Sequence, residues 1–332
     1  FMNTIEVCPG TLSPGFNKYS PTCSKRLFDG INVSHIMDFC YDDENNTFLD
    51  SVNHISISGV QEKMSAVIID KKIQMTPPGS HGRYIIKPAP NYKHLRHRDQ
   101  IPANEHLTMQ IARQVFKINT AENGIIFFSD GKPAYITKRF DYDKSGNKIA
   151  QEDFASLSGK TNKNHGDNYK YSGSYEDAAM IIRNNVMAWQ VEISKFFSIV
   201  IFNYLFANGD AHLKNFSLQQ SAYGDYILTP AYDLLNTSLH VNDEDFALQK
   251  GLIPNEFYSE TYKNTLHPCK EDFITFGNRI GVLPKKVDAM IELFSKEHEM
   301  IYELIERSFL DDRCKRMYKR SYQERLQRFI RN

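Results

Sequence analysis

Apolar and polar residues are spaced in two different ways along this chain. Residues 64–70 (Met-Ser-Ala-Val-Ile-Ile-Asp) and 72–75 read as the two strands of a hairpin, and 84–87 as a further short strand that Pro88 stops. The spacing over 103–116 predicts a helix, and 124–129 with 134–140 predict two more strands. The first fifty residues are loop-rich, and 141–175 is polar and rich in Gly, Asn and Lys, which reads as a mobile connection or insertion. Beyond it helices are expected over 175–186, 191–207, 270–280, 284–309 and 313–330. The pattern is α+β in two lobes, a β-rich N-terminal lobe (1–140) and a mostly helical C-terminal lobe (141–332), with no internal repeat.

The most informative stretch is 201–235. An apolar helix runs into Ala207-Asn-Gly-Asp210-Ala-His-Leu-Lys-Asn215, and two short apolar strands separated by a turn then present Asp233. Phosphoryl transfer needs its charge neutralised and its reacting atoms held in line. One carboxylate beside the attacking hydroxyl and two oxygen ligands on a hard cation come close to a minimum set. Asp210, followed by Asn215 and Asp233, supplies those groups in the order that protein kinases use, and a β-rich lobe ahead of a helical one is also their order.

Composition bounds the rest. With 332 residues, 41% hydrophobic and 12% aromatic, the chain can bury a sizeable core. Forty basic residues balance forty acidic ones, so no global field recommends nucleic acid or an anionic membrane as the main partner. The local exception is a basic run on the last helix (Arg313, Lys315, Arg316, Lys319, Arg320, Arg325, Arg328, Arg331), read as a solvated face in preference to a polyanion contact. Five scattered cysteines without a Cys-x-x-Cys pair suit reduced thiols, and the longest apolar stretch, 196–207, is too short to span a bilayer. A cytoplasmic protein with no membrane partner is expected.

A kinase reading requires a phosphate-covering loop and a lysine in the β-rich half. Ser56-Ile-Ser58-Gly59-Val60-Gln61-Glu62-Lys63 precedes the hairpin, and its small residues would let backbone N–H groups approach phosphate oxygens. Lys87 ends an apolar strand, from which an ammonium could reach phosphates, and Glu105 on the next helix could pair with it.

Taken with the strand Ile-Ile-Lys-Pro, Asn104-Glu105, Thr137-Lys138-Arg139-Phe140-Asp141, Gln151-Glu-Asp153, Gly209-Asp-Ala-His-Leu-Lys-Asn-Phe216 and Leu228-Thr-Pro-Ala-Tyr232-Asp233, that loop resembles, in order, the HipA-like serine/threonine kinases of bacterial toxin–antitoxin systems. The resemblance runs from about Ser56 to the C-terminal helices. It implies a HipA-type kinase fold with ATP and Mg²⁺ between the lobes, Asp210 as catalytic base, Lys87 on phosphates, and Asn215 and Asp233 on the metal. It also implies a nucleotide site lined by Ser58, Gly59, Val60, Gln61, Glu62 and Lys63, by Lys138, Arg139 and Phe140, and by His212, Lys214 and Tyr232.

Two departures from the longer members narrow the resemblance. About fifty residues precede the phosphate loop, too few for their extra N-terminal subdomain, so the chain looks more like the short HipT type. The implied partners are then a helix-turn-helix antitoxin and a separate small protein standing in for that subdomain, with DNA reached only through the antitoxin. The Ser-Ile-Ser pair makes Ser56 and Ser58 candidate autophosphorylation sites. A phosphoserine there would repel ATP's own phosphates and lower nucleotide affinity. The protein substrate implied by resemblance is an aminoacyl-tRNA synthetase.

Two other motifs compete. His97-Arg98-Asp99-Gln-Ile-Pro-Ala-Asn104 fits the His-Arg-Asp-x-x-x-x-Asn kinase pattern better than the Asp210 segment does. It lies ahead of the Glu105 helix, with no apolar helix before it and no strand pair ending in Asp after it. Gly159-Lys160-Thr161 looks like the end of a Walker A loop, but position 154 is Phe and no strand leads in. No histidine spacing suits zinc. An active kinase and a kinase-fold binding module for antitoxin complexes both fit the chain, and the intact set Lys87, Asp210, Asn215 and Asp233 favours the first. A small-molecule kinase is a further possibility.

Overall fold

The computed structural model describes residues 5–41, 62–77, 79–92 and 94–331. Ser56, Ser58, Gly59, Val60 and Gln61 of the expected phosphate loop lie outside the described residues. The N-terminal half is an antiparallel five-stranded sheet ordered β2-β1-β3-β5-β4, built from β1 (Met64–Ile69), β2 (Lys72–Met75), β3 (Tyr84–Pro88), β4 (Asn123–Phe127) and β5 (Pro133–Lys138). The central strand β3 buries Tyr84, Ile86, Lys87 and Pro88. A lysine in such a position must find carboxylates, because an unpaired buried ammonium is costly. A short helix, α1 (Pro21–Leu27), precedes the sheet, with Pro21 in its first turn and the Ser20 hydroxyl accepting the Cys23 N–H. Its brevity hid it within the loop-rich first fifty residues.

Helix α2 (Ile101–Gln114) lies against β4 and β5 with every residue from Ile101 to Ala112 buried. It starts two residues before the expected 103, because Pro102 suits a first turn, where no N–H partner is needed.

The 141–175 segment departs from expectation, since much of it is folded. It forms β6 (Gln151–Asp153), α3 (Phe154–Leu157) and α4 (Asn162–His165), and β6 joins β7 (Ser217–Gln220) and β8 (Tyr226–Leu228) in a second sheet ordered β6-β7-β8. Phe154 is the anchor: it is fully buried beside Phe196 and Phe216. A polar composition concealed that one hydrophobic pin and the strand pairing beside it.

The remainder is helical: α5 (Tyr175–Asn185), α6 (Trp189–Leu205), α7 (Glu260–Thr265), α8 (Lys270–Arg279), α9 (Pro284–Ser295), α10 (Glu299–Arg307) and α11 (Asp312–Ile330). Twelve of the seventeen α6 residues are buried, so this helix is apolar nearly all round and serves as the core of the half. Phe206 stacks on Tyr322 of α11 at 5.0 Å, and Phe116 just beyond α2 stacks on Phe294 of α9 at 4.5 Å. These pairs tie α2 into the helical layer. The single helix expected over 284–309 is two helices. Lys296 and His298 are extended, and a His298 ring nitrogen lies 2.9 Å from the Leu293 carbonyl. Both helices turn the same apolar face to the core, which preserved the periodicity across the break.

The basic run on α11 is partly absorbed by the fold: Arg325 is buried against Asp245, Arg328 lies 3.6 Å from the same carboxylate, and Arg320 pairs with Glu324. All five cysteines are free thiols, and only Cys40 is exposed. Among the described residues no helix is long and apolar enough to cross a membrane.

Candidate active site

A cleft of about 400 Å³ opens between the five-stranded sheet and the β6-β7-β8 sheet. Lys87 and Lys63 enter it from the first sheet, Glu105 from α2, and His212, Lys214, Asn215, Tyr232 and Asp233 from the loops around β7 and β8.

The Lys87 Nζ donates to Glu105 Oε1 at 2.6 Å and directly to Asp233 Oδ1, and it lies 5.2 Å from the centre of the Tyr135 ring. Burial alone would lower the Lys87 ammonium, but Asp233 and Glu105 outweigh it and hold the charge in place. Burial would likewise raise Asp233, yet the Lys63 and Lys87 ammoniums press its carboxyl far below the usual carboxylate range. Asp233 has φ +54°, a left-handed conformation that Asp tolerates better than most residues.

Helix α2 is held next to the Asp233 segment by its own polar residue. Asn104 Nδ2 donates to the Asn236 carbonyl at 2.8 Å, Asn104 Oδ1 accepts the Asn236 N–H at 3.0 Å, and Nδ2 lies 2.7 Å from a His240 ring nitrogen. Asn104 therefore braces Glu105 and is fully buried. That occupation removes it as the Asn of the His-Arg-Asp competitor. Asp99 of that motif is exposed on a 3-10 turn ahead of α2 and accepts from Gln100. In the other competing motif Lys160 donates to the Ser172 carbonyl at 2.8 Å.

Asp210 sits beyond the C-terminus of α6, in a turn fixed by polar contacts. Its N–H donates to Asn208 Oδ1 at 3.3 Å, Asn208 donates to Asn203 at 2.8 Å, and the Gly209 N–H donates to Thr237 Oγ1 at 2.8 Å. A side chain at Gly209 would meet the Asp243 carboxylate at 2.4 Å and the Glu244 carbonyl at 2.7 Å, so only glycine fits. Asp210 Oδ1 accepts the Tyr171 hydroxyl at 2.7 Å. Burial pushes the Asp210 carboxyl up to about 6 against the opposing pull of that hydrogen bond and of Lys170, with Asp243 and Asp233 adding to the rise. A carboxylate titrating there is matched to proton transfer near neutral pH.

Between these groups lies His212, buried, with neither ring nitrogen hydrogen-bonded by a protein group. Burial and the Lys170 charge lower it to about 3, so it stays neutral. The His212 N–H donates to Asn215 Oδ1 at 3.0 Å, and Asn215 Nδ2 donates to Asp233 Oδ2 at 3.3 Å. Asn215 and Asp233 are thus adjacent, a carboxylate beside an amide. Such hard oxygen donors fit Mg²⁺, which binds through one or two protein groups and takes its remaining ligands from phosphates and water.

The other expected nucleotide residues divide. Lys138, Arg139, Phe140 and Tyr232 all line the cleft, and the Phe140 and Tyr232 rings lie 5.7 Å apart as apolar walls. Two charges are engaged by neighbours: Lys138 pairs with Asp29 at 2.6 Å and Arg139 forks onto Asp141. Glu62 is half-buried and is not part of the cleft lining. Sequence reasoning missed Tyr171, because the polar stretch around it carried no periodic signal, and it missed the bracing by Asn236 and His240.

A larger open groove of about 1260 Å³ lies on the far side of the Gly209 turn, between the 243–268 segment and α11. Its Asp245, Arg325 and Arg328 are bound to one another. The groups suited to phosphate chemistry are those of the smaller cleft.

The comparisons with known proteins agree with this geometry. The model of the HipA-like C-terminal domain family matches residues 55–301. This chain belongs to that family. A protein of Haemophilus influenzae named "Putative kinase" is 29% identical over 299 residues, covering 82% of this chain and 81% of its own length. A protein of Sinorhizobium fredii named "Putative kinase Y4dM" is 31% identical over 208 residues, 58% of this chain and 47% of that protein. Among solved structures, the Shewanella oneidensis HipA–HipB toxin–antitoxin complex with operator DNA matches with a TM-score of 0.61 at 21% identity, over 83% of this chain and 65% of that one. The Helicobacter pylori proinflammatory kinase CtkA matches at 0.52 and 13% identity, over 89% and 94%. Both share this fold, which is the two-lobed HipA type expected from the sequence.

Proposed function

We propose that this HipA-family protein is an ATP- and Mg²⁺-dependent serine/threonine protein kinase and the toxin of a bacterial toxin–antitoxin system. The observation that carries the reading is the convergence of Lys87, Glu105, Asn215 and Asp233 on one cleft, with Asp210 one short turn away. In the reaction the acceptor hydroxyl gives its proton to Asp210, its oxygen attacks the γ-phosphorus and ADP leaves. Lys87 and Lys63 would hold phosphate oxygens, and Phe140 and Tyr232 would wall the base. Asn215 and Asp233 would hold Mg²⁺, which supplies charge neutralisation at the phosphates.

The family, the relatives named as kinases and the fold shared with a HipA–HipB–DNA complex support an antitoxin partner of the helix-turn-helix type, a cytoplasmic location and contact with DNA only through that partner. An aminoacyl-tRNA synthetase as substrate, a separate small N-subdomain-like partner and self-inhibiting phosphorylation at Ser56 or Ser58 extend the reading on resemblance to the short HipT type. Phosphopeptide mapping of cells expressing wild type or Asp210→Asn tests it. The proposal expects new phosphoserine or phosphothreonine on a synthetase with wild type alone; identical phosphopeptides in both would refute it.

A further inference from the structure

We propose that Tyr171 is a positioning residue for Asp210: its phenol fixes one carboxylate oxygen and leaves the other to the acceptor hydroxyl. The inference rests on the kinase reading of the site. Tyr171 lies on a 3-10 turn (Tyr169–Tyr171) in the folded connection, thirty-nine residues before Asp210, and donates to Oδ1 at 2.7 Å. Its own placement is over-determined. The ring meets His212 edge-on at 5.2 Å between centroids, and the Lys170 ammonium lies 5.0 Å from its centre. Its carbonyl accepts the Gln249 N–H at 2.9 Å, and next along the chain Gly173 accepts from Lys250 at 3.0 Å. A phenol held at the ring and through its backbone can orient a carboxylate with little loss of entropy on reaction.

The groups facing Asp210 set the consequence. Tyr171 and Lys170 favour its ionised form, while burial, Asp243 and Asp233 oppose it. Without the phenol the opposing set prevails and the base is protonated over more of the neutral range. A hydrogen bond to the charged form holds a carboxyl's titration down, and its loss is expected to raise that of Asp210 by about one pH unit.

The test compares wild type with Tyr171→Phe, which keeps the ring and its packing. Carboxyl-carbon NMR follows the Asp210 titration, assigned by its loss in Asp210→Asn. Transfer from radiolabelled ATP to dephosphorylated casein follows rate against pH. The expected result is an Asp210 titration about one unit higher in Tyr171→Phe, with the acid limb of the rate profile displaced equally. The kcat should fall about twofold at about pH 7 and by about tenfold near pH 5, with the KM for ATP unchanged. An Asp210 that titrates at the same pH in both proteins overturns the positioning role while leaving the kinase reading intact. A titration that moves in proteins neither of which transfers label to casein or to themselves defeats the kinase reading, and the positioning role with it.

Discussion

Lys87 and Glu105 meet across 2.6 Å with their side chains only 4% and 2% exposed, so that a strand and a helix are joined by a largely buried ion pair at the wall of the cleft. Eighteen residues separate them in sequence, and the same ammonium reaches Asp233, 146 residues away. The pair ties the sheet, α2 and the metal-side carboxylate together at the point where phosphate would bind.

Removing one partner of such a pair leaves a buried charge. Lys87→Met is therefore expected to destabilise the fold by about 3 kcal/mol, whereas Lys87→Met with Glu105→Leu should recover much of that loss. Urea unfolding checks both. Equal stabilities of the single and double variants would show that Glu105 is not the group left stranded.

Asp210 carries an opposite cost. Burial raises its folded titration to about 6 from an ordinary value near 3.8, so the folded state binds the proton more tightly than the unfolded chain does. Wild type should lose stability on this account as pH rises through that window, and the loss is complete above it. Asp210→Asn removes the penalty: it should be more stable than wild type at neutral pH, by up to about 3 kcal/mol, and equal below the window. Thermal unfolding against pH reads the difference, and a variant less stable at neutral pH contradicts the account.

Asp233→Asn should separate metal from nucleotide. Calorimetry is expected to show ATP affinity in the presence of Mg²⁺ lowered tenfold or more, about 1.4 kcal/mol, with binding in chelator little changed. An equal loss with and without Mg²⁺ would assign Asp233 to phosphate-side structure alone.

Gly209→Ala places a methyl group against the Asp243 carboxylate and the Glu244 carbonyl. The backbone oxygen cannot step aside as a flexible side chain would, so the turn bearing Asp210 must shift. A destabilisation of about 1–3 kcal/mol should accompany loss of label transfer, and a fully active, fully stable variant would show that the turn is not held this tightly.

Much of this site was legible in the sequence because its parts are local. Asp210 and Asn215 occupy one turn after an apolar helix, and Asp233 follows a strand pair whose alternation is plain. Lys87 was readable as the end of a buried strand, and Glu105 as the next helix's acid. What stayed hidden depends on contacts between distant segments. Tyr171 reaches Asp210 only because Phe154 pins a polar stretch to the core and β6 pairs with β7. Asn104 looked like the end of a catalytic loop, yet it braces α2 through Asn236 and His240. The break at Lys296 escaped notice because the helices on either side bury the same face.

The central claim is that Asp210, and not the better-matching Asp99, takes the acceptor's proton. Wild type, Asp210→Asn and Asp99→Asn are incubated with radiolabelled ATP and Mg²⁺, and label is read on the protein and on a cell lysate. Asp99 is exposed on the turn ahead of α2 and accepts from Gln100, so Asp99→Asn should transfer label within about twofold of wild type, while Asp210→Asn should lose about a hundredfold or more. Label retained by Asp210→Asn and lost by Asp99→Asn would contradict the assignment.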